Sequence, residues 1–428
     1  MRAILDLALA SAWNRRTSLA LACLSITLAT ALVLAVGRMG ESARRDLSRT
    51  SAGVDLVVGP RGGTLPLLLR ALFHMGEATA TMQWESHVKL ARDPRVAWSV
   101  PLALGDTHGG YPVIGTTAAY FQHMRNADGA PLALSAGRPF AGLFEAVIGA
   151  EVARRLGYQT GTSLILSHGS SLPDTHDGHD DQRTSTHQDK PFRVVGVLAP
   201  AASPVDRSVL IGLDSLTALH LDWQGGVPIP GLHIPAEQVG KFDLRPRSLD
   251  AVLIGLHQRT DALRLQRQIA EAPGEALMAI LPGPGLDSLW QLLGQIERTL
   301  KALGGLVTLV SLTGLVAVIL AGLGERRREL AILRAVGAGV RHVVALLMVE
   351  AFALTITGLL AGLALVEAGG LLLTPWLRLH YGLGWHVGPR GHEIALLALL
   401  LAAGSLAGLI PAWRAARLSI ADGLTPRL

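Results

Sequence analysis

Four apolar stretches, each about as long as a bilayer is thick, limit what this chain can become more than any other feature. Ser18 to Gly37 holds twenty residues without a charge, and at helical rise that length covers the roughly 30 Å of hydrocarbon in a membrane. Residues 303–323 are likewise uncharged, residues 343–366 are interrupted only by Glu350 and closed by Glu367, and residues 393–411 end at Pro411. A cleaved signal peptide is the competing reading of the first stretch. Its apolar core would be only about 7 to 15 residues, so a retained anchor is expected here. Half of the 428 residues are hydrophobic, and their clustering points to a membrane protein with a water-soluble part.

The arginines orient these spans. Lysine occurs only at Lys89, Lys190, Lys241 and Lys301, so the net charge of +5 is carried by arginine. No basic run is interleaved with aromatic residues, which argues against nucleic-acid binding. Arg326, Arg327, Arg328, Arg334 and Arg341 crowd the link between the second and third spans, against Arg378 and Arg390 between the third and fourth. Basic loops resist translocation, so the first of these links is cytoplasmic. Residues 1–17, with Arg2, Arg15 and Arg16, read as a cytoplasmic amphipathic helix, and residues 412–428 as a cytoplasmic tail. Both termini therefore lie inside, and a short loop at 374–392 lies outside.

Residues 38–285 form the large exported part. Strand-like runs occur at 54–58, 95–104, 146–148, 163–166, 192–198, 251–256 and 276–281, with helical patterns at 150–156 and 261–271. Alternation of this kind predicts an α+β domain between the first and second spans. Residues 286–302 follow as an amphipathic stalk helix leading into the second span. The single cysteine, Cys23, lies in the first span, so no disulfide can form within the chain.

No G-x-x-x-x-G-K-[ST] phosphate loop occurs, since Lys241 alone among the lysines follows a glycine and Phe242 stands where a hydroxyl is needed. No G-x-S-x-G elbow or H-E-x-x-H helix occurs either, so no catalytic site is expected on this chain.

The link at 325–341 carries Glu325-Arg326 and then Glu329-Leu330-Ala331-Ile332-Leu333-Arg334-Ala335-Val336-Gly337-Ala338. This resembles the E-R-x-x-E-[IL]-G-x-x-R-A-x-G-A signature of ABC transporter permeases of the MacB, LolC/LolE and FtsX type, departing from it at Ala331. Glu350-Ala351 with Gly358 and Gly362, Pro411 to Arg417, and Asp422 to Leu424 extend the resemblance through the later spans. Gly137 to Phe140, Val147 to Gly161 and Phe192 to Leu198 extend it to the exported domain.

The resemblance implies a non-catalytic, multi-pass permease of the bacterial inner membrane with a periplasmic domain. It implies two copies of an ATPase subunit carried on a separate chain, where ATP binds, and a second permease subunit, either an identical copy or a paralogue. A periplasmic or outer-membrane adaptor is a further possible partner. In this family the link between the second and third spans is a coupling helix that docks on the ATPase, which assigns ATPase coupling to Glu325, Arg326, Glu329, Leu330, Leu333, Arg334 and Gly337. A basic loop alone would be no more than a topological marker; the Glu and Arg spacing, with an apolar face beside it, suits a polar groove. Glu350 is open to two readings, an intramembrane functional charge or a side chain that snorkels or pairs with a basic residue such as Arg341.

One insertion stands apart from the resemblance. Residues 167–190 read as a polar loop in which His168, His176, His179 and His187 accompany Asp174, Asp177, Asp180, Asp181 and Asp189. Nitrogen and oxygen donors in this mixture suit zinc or another divalent metal, although composition of this kind also arises in loops that bind nothing. The candidate ligands are His168, His176, His179, His187, Asp177 and Asp180. The expected function is ATP-driven extrusion or extraction of a substrate from the periplasm or outer leaflet, with a possible link to zinc homeostasis. The rivals are an FtsX-like transmitter that switches a periplasmic enzyme or adaptor, and a metal-binding membrane sensor.

Overall fold

The computed structural model describes residues 15–50, 53–76, 80–126, 129–168, 186–224, 227–325, 334, 337, 339–381 and 388–417. The longer helices among these residues are α1 (Arg16–Thr50), α2 (Thr64–Phe73), α3 (Trp84–Ala91), α4 (Ala150–Leu156), α5 (Leu213–Leu219), α6 (Ala262–Glu271), α7 (Pro282–Glu325), α8 (Val340–Tyr381), α9 (Gly391–Ala407) and α10 (Leu409–Ala416), with a five-residue helix at Ala119–His123 and short turns between. Two compact units emerge, one built from the long apolar helices and one from residues Ala43–Leu292 with Leu377–Gly384.

Among the described residues, the membrane unit contains four helical segments long and apolar enough to cross a bilayer: Arg16–Ser42, Gly294–Gly324, Val340–Trp376 and Gly391–Ala416. Their shared interior gathers Ile26 from α1, Leu315, Ile319 and Leu323 from α7, Val343, Leu347 and Ala351 from α8, and Ala412 and Ala415 from α10. The opposite faces carry exposed leucines such as Leu21, Leu309 and Leu372, which lipid, not water, suits. Small residues set the closeness of the helices. A Cβ added at Gly358 would lie 2.7 Å from Ile26 Cγ2, and one at Gly362 would lie 2.7 Å from Thr30 Cβ, so α1 and α8 approach at glycine distance. The third span runs on as helix to Tyr381, through Pro375, so the loop expected to begin at residue 374 is helical in its first part.

The second unit is an α+β domain on one mixed sheet of eleven strands. In chain order these are β1 (Leu56–Pro60), β2 (Val96–His108), β3 (Tyr111–Thr116), β4 (Leu134–Gly137), β5 (Glu145–Ile148), β6 (Ser163–Leu164), β7 (Ser167–His168), β8 (Phe192–Leu198), β9 (Val209–Gly212), β10 (Ala251–Leu256) and β11 (Leu277–Ile280). Nine of them run in the order β11-β1-β10-β2-β3-β9-β5-β8-β4, while β6 pairs with β8 and β7 with β2. The neighbours β3 and β9, and β5 and β8, are parallel; the other pairs are antiparallel.

Both faces of the sheet are covered. In β10, Ala251 and Leu253 join the cluster that holds Leu67, Leu68 and Leu72 of α2. The alternate residues Val252 and Ile254 join the cluster that holds Leu265 and Ile269 of α6. Side chains alternate across a strand, so a strand buried on both sides reads as an unbroken apolar run. Residues 167–190, expected as a loop throughout, are built into the fold at both ends. Ser167–His168 is strand β7, and Lys190 is fully buried.

Candidate metal centre and membrane ion pairs

Strand register supplies the first contact of the candidate centre. Asp106 on β2 sits opposite His168 on β7, and a backbone bridge joins Ser167 to Thr186. The N–H of His187 donates to the Leu166 carbonyl at 2.9 Å, which brings the second histidine beside the first. His220 follows the last residue of α5, and its Nδ1 lies 2.8 Å from the Leu216 carbonyl one turn earlier. Four side chains from separate parts of the chain thus converge, with one candidate ligand atom from each of Asp106, His168, His187 and His220 all within 4.8 Å of one another.

The distances are short. His168 Nε2 lies 3.2 Å from His187 Nε2 and 3.1 Å from His220 Nε2. His168 Nδ1 is 2.7 Å from Asp106 Oδ1, and His220 Nε2 is 3.5 Å from Asp106 Oδ2. Asp106 is only 3% exposed, yet neither of its oxygens accepts a hydrogen bond of normal geometry. The Trp223 ring packs beside the cluster, 4.0 Å from the His187 ring and 5.1 Å from that of His168 between centroids. Burial pushes the His187 imidazole down to about 3. Burial also drives the Asp106 carboxyl upward, but the His168 and His220 rings outweigh it and hold the group below the usual carboxylate range. For His220 burial acts downward and the Asp106 carboxylate more than reverses it.

A buried lysine fixes the segment that carries His187. Lys190 Nζ pairs with Asp222 and lies 3.4 Å from both Asp189 Oδ2 and the Leu219 carbonyl, tying residues 187–190 to the end of α5 where His220 sits. Asp189, Asp222 and His233 form a second acidic group. Lys190 already supplies its positive charge.

Of the ligands expected from sequence, His168 and His187 meet in this centre. His176, His179, Asp177 and Asp180 lie outside the described residues. Sequence reading missed Asp106 and His220. Neither stands in a His-rich context, and only the β2–β7 register and the end of α5 bring them in, so spacing alone carried no signal for them.

In the membrane unit several buried charges are paired. Arg38, 1% exposed, donates from Nε and Nη2 to the two Glu393 oxygens at 2.8 Å each, and its Nη1 lies 2.9 Å from Glu367. A two-pronged Arg–carboxylate contact of this kind is among the stronger and most directional ion pairs. Arg390 pairs with Glu41 nearby. Glu350 on α8 is paired with Arg15, just before α1, at 3.3 Å. Of the segment assigned to coupling, Arg326, Glu329, Leu330 and Leu333 lie outside the described residues. Glu325 closes α7, Arg334 is described, and Gly337 adopts the left-handed backbone, φ 103°.

Comparison with known families decides the class. The MacB-like periplasmic core domain matches residues 19–269, and the FtsX-like permease C-terminal region matches residues 301–420. The chain belongs to the MacB/FtsX family of ABC transporter permeases. It is therefore a membrane protein with an extracytoplasmic domain between its first and second spans. The permease is 26% identical over 244 residues to the probable syringafactin export ATP-binding/permease protein SyfD of Pseudomonas syringae pv. tomato, a match covering 53% of this chain and 35% of that protein. The permease thus spans about a third of that relative's length. Among solved structures it resembles the periplasmic region of MacB from Actinobacillus actinomycetemcomitans at 10% identity and a TM-score of 0.32, covering 57% of this chain and 95% of that one. It also resembles the extracellular domain of the transporter YknZ from Gram-positive bacteria at 14% identity and a TM-score of 0.29, covering 53% and 98%.

Proposed function

We propose that this permease couples ATP hydrolysis, carried out by ABC ATPase subunits outside its own sequence, to movement of its exported domain. The movement extrudes or extracts a substrate from the periplasm or the outer leaflet. One observation carries the reading: a MacB-like core follows the first span and an FtsX-like region spans the remaining three, in a sequence without a phosphate-binding loop. The five arginines of the link between the second and third spans favour an inner-membrane orientation with both termini and that link in the cytoplasm. Export agrees with the name of the Pseudomonas relative. Four spans per chain favour a second permease subunit, identical or paralogous, and two ATPase copies. A periplasmic or outer-membrane adaptor would extend the path.

Glu325, Arg326, Glu329, Leu330, Leu333, Arg334 and Gly337 are assigned to the ATPase contact, with alternating charges for a polar groove and leucines as the apolar anchor. Co-purification with the ABC ATPases of the same genome tests this. The Glu329→Lys/Arg334→Glu double variant should lose the ATPase while keeping wild-type yield and membrane insertion. Undiminished association would remove the docking role. A role in zinc homeostasis is supported by the Asp106, His168, His187 and His220 cluster on the exported domain.

A further inference from the structure

We infer that Asp106, His168, His187 and His220 form a four-ligand site for a divalent transition metal of the zinc class. The metal would bind to the three Nε2 atoms and to Asp106 Oδ2. The inference stands apart from ATP-driven transport, because it depends only on side chains within the exported domain.

Hydrogen bonding at the far side of the His220 ring shows what its near nitrogen must be. The Leu216 carbonyl can only accept, so His220 Nδ1 carries the proton and its Nε2 presents a lone pair to the cluster. Asp106 Oδ1 lies 2.7 Å from His168 Nδ1 without the geometry of a hydrogen bond, so the buried carboxylate faces the cluster with its acceptor capacity unmet. His168 Nε2 lies 3.1 Å from the nitrogen that carries the His220 lone pair, and His187 Nε2 lies 3.2 Å from His168 Nε2. A cation held among these atoms would satisfy the lone pair and the buried Asp106 carboxylate together.

The spacing fits a metal. Zinc–nitrogen bonds of about 2.0–2.1 Å at tetrahedral angles place neighbouring ligand nitrogens about 3.3 Å apart, close to the 3.1 and 3.2 Å found here. Asp106 Oδ2, 3.5 Å from His220 Nε2, completes four positions. The Leu216 carbonyl beside His220 Nδ1 is the second contact that a metal-bound imidazole uses to fix tautomer and ring orientation. His187 is fixed differently, by its backbone bond to Leu166 and by the Trp223 ring. Three neutral imidazoles and one carboxylate suit zinc or cobalt better than calcium or magnesium, which prefer oxygen ligands throughout.

All four positions are taken by protein, the pattern of a structural site and not of a catalytic one, which keeps a position open. The metal would join β2, β7, the chain at His187 and the end of α5. The domain has no cysteine with which to make such a link covalently.

The test uses the full chain in detergent, purified without a histidine tag, stripped with chelator and titrated with Zn(II) by calorimetry and with Co(II) by visible absorption. The wild type should take up one tight equivalent. Its Co(II) form should show the intense visible bands of tetrahedral coordination, and Zn(II) should raise its melting temperature. His220→Ala, and the size-conserving Asp106→Asn, should weaken binding at least about tenfold. His176→Ala/His179→Ala should leave the tight equivalent intact. Unchanged isotherms in His220→Ala, or loss of the tight equivalent in His176→Ala/His179→Ala, would overturn the assignment. If the variants fail to fold, the wild-type Co(II) spectrum decides alone. Octahedral bands would overturn the four-ligand geometry, and no tight binding would mean that the rings share only a proton.

Discussion

His74 shows how one buried side chain couples this fold to pH. It ends α2 in the left-handed region with φ 56°, it is 8% exposed, and its Nδ1 lies 3.2 Å from Ser208 Oγ. Burial lowers its imidazole from 6.5 to about 4, so between those values the unfolded chain binds a proton that the folded one refuses. Stability from this group is therefore complete above pH 6.5 and is lost as pH falls towards 4, by on the order of 3 kcal/mol at most. Asn tolerates the left-handed backbone and does not titrate. His74→Asn should flatten the decline of melting temperature between pH 6.5 and 4, whereas parallel curves for variant and wild type would show that the group titrates normally. None of this can be read from the sequence, where His74 is one histidine of fifteen. The same holds for Asp106 and His220. A histidine in a His-rich stretch draws attention, whereas its partners are defined by strand register and by where a helix stops.

At the scale of elements more was legible. The runs at 251–256 and 146–148 coincide with β10 and most of β5 because strands covered on both faces are apolar throughout, and the run at 192–198 coincides with β8, where only Arg193 interrupts the apolar sequence. The short strands β3, β4 and β9 escaped notice. Tyr111–Thr116 includes Pro112 and Gly115, and Leu134–Gly137 ends on a glycine, signals that usually mark turns. Pro375 misled in the same way, since a proline suggests a helix boundary and here lies inside α8. The membrane glycines spoke clearly: Gly358 and Gly362 sit where α8 meets Ile26 and Thr30 of α1. Gly362→Leu should force these helices apart, at a cost of roughly 1–3 kcal/mol for overpacking. A drop in melting temperature in detergent together with reduced folded yield is the expected reading. A neutral Gly362→Leu alongside a destabilising Ala351→Leu, at a fully buried position of the same helix, would locate the tight contact elsewhere.

On the scale of the whole molecule, the chain couples a four-helix membrane unit to an α+β exported domain through covalent helices. α7 is continuous for 44 residues, Pro282–Glu325. It begins two residues after the last strand of the domain and ends at the first residue of the segment assigned to the ATPase. Such a helix can carry displacement along its length, because its backbone bonds are internal and aligned with the axis. Paired charges, Arg15 with Glu350 and Arg38 with Glu367 and Glu393, tie the first span to the third and fourth. The measurement that bears most directly on ATP-driven motion is double electron–electron resonance on the reconstituted permease and ATPase. Cys23 would be replaced by serine, with spin labels at the exposed Arg245 of the exported domain and the exposed Trp413 of the membrane unit. ATP turnover should shift the distance distribution in the wild type, and the shift should vanish in Glu329→Lys/Arg334→Glu. A distribution indifferent to ATP, or an equal shift in the double variant, would contradict transmission through this segment.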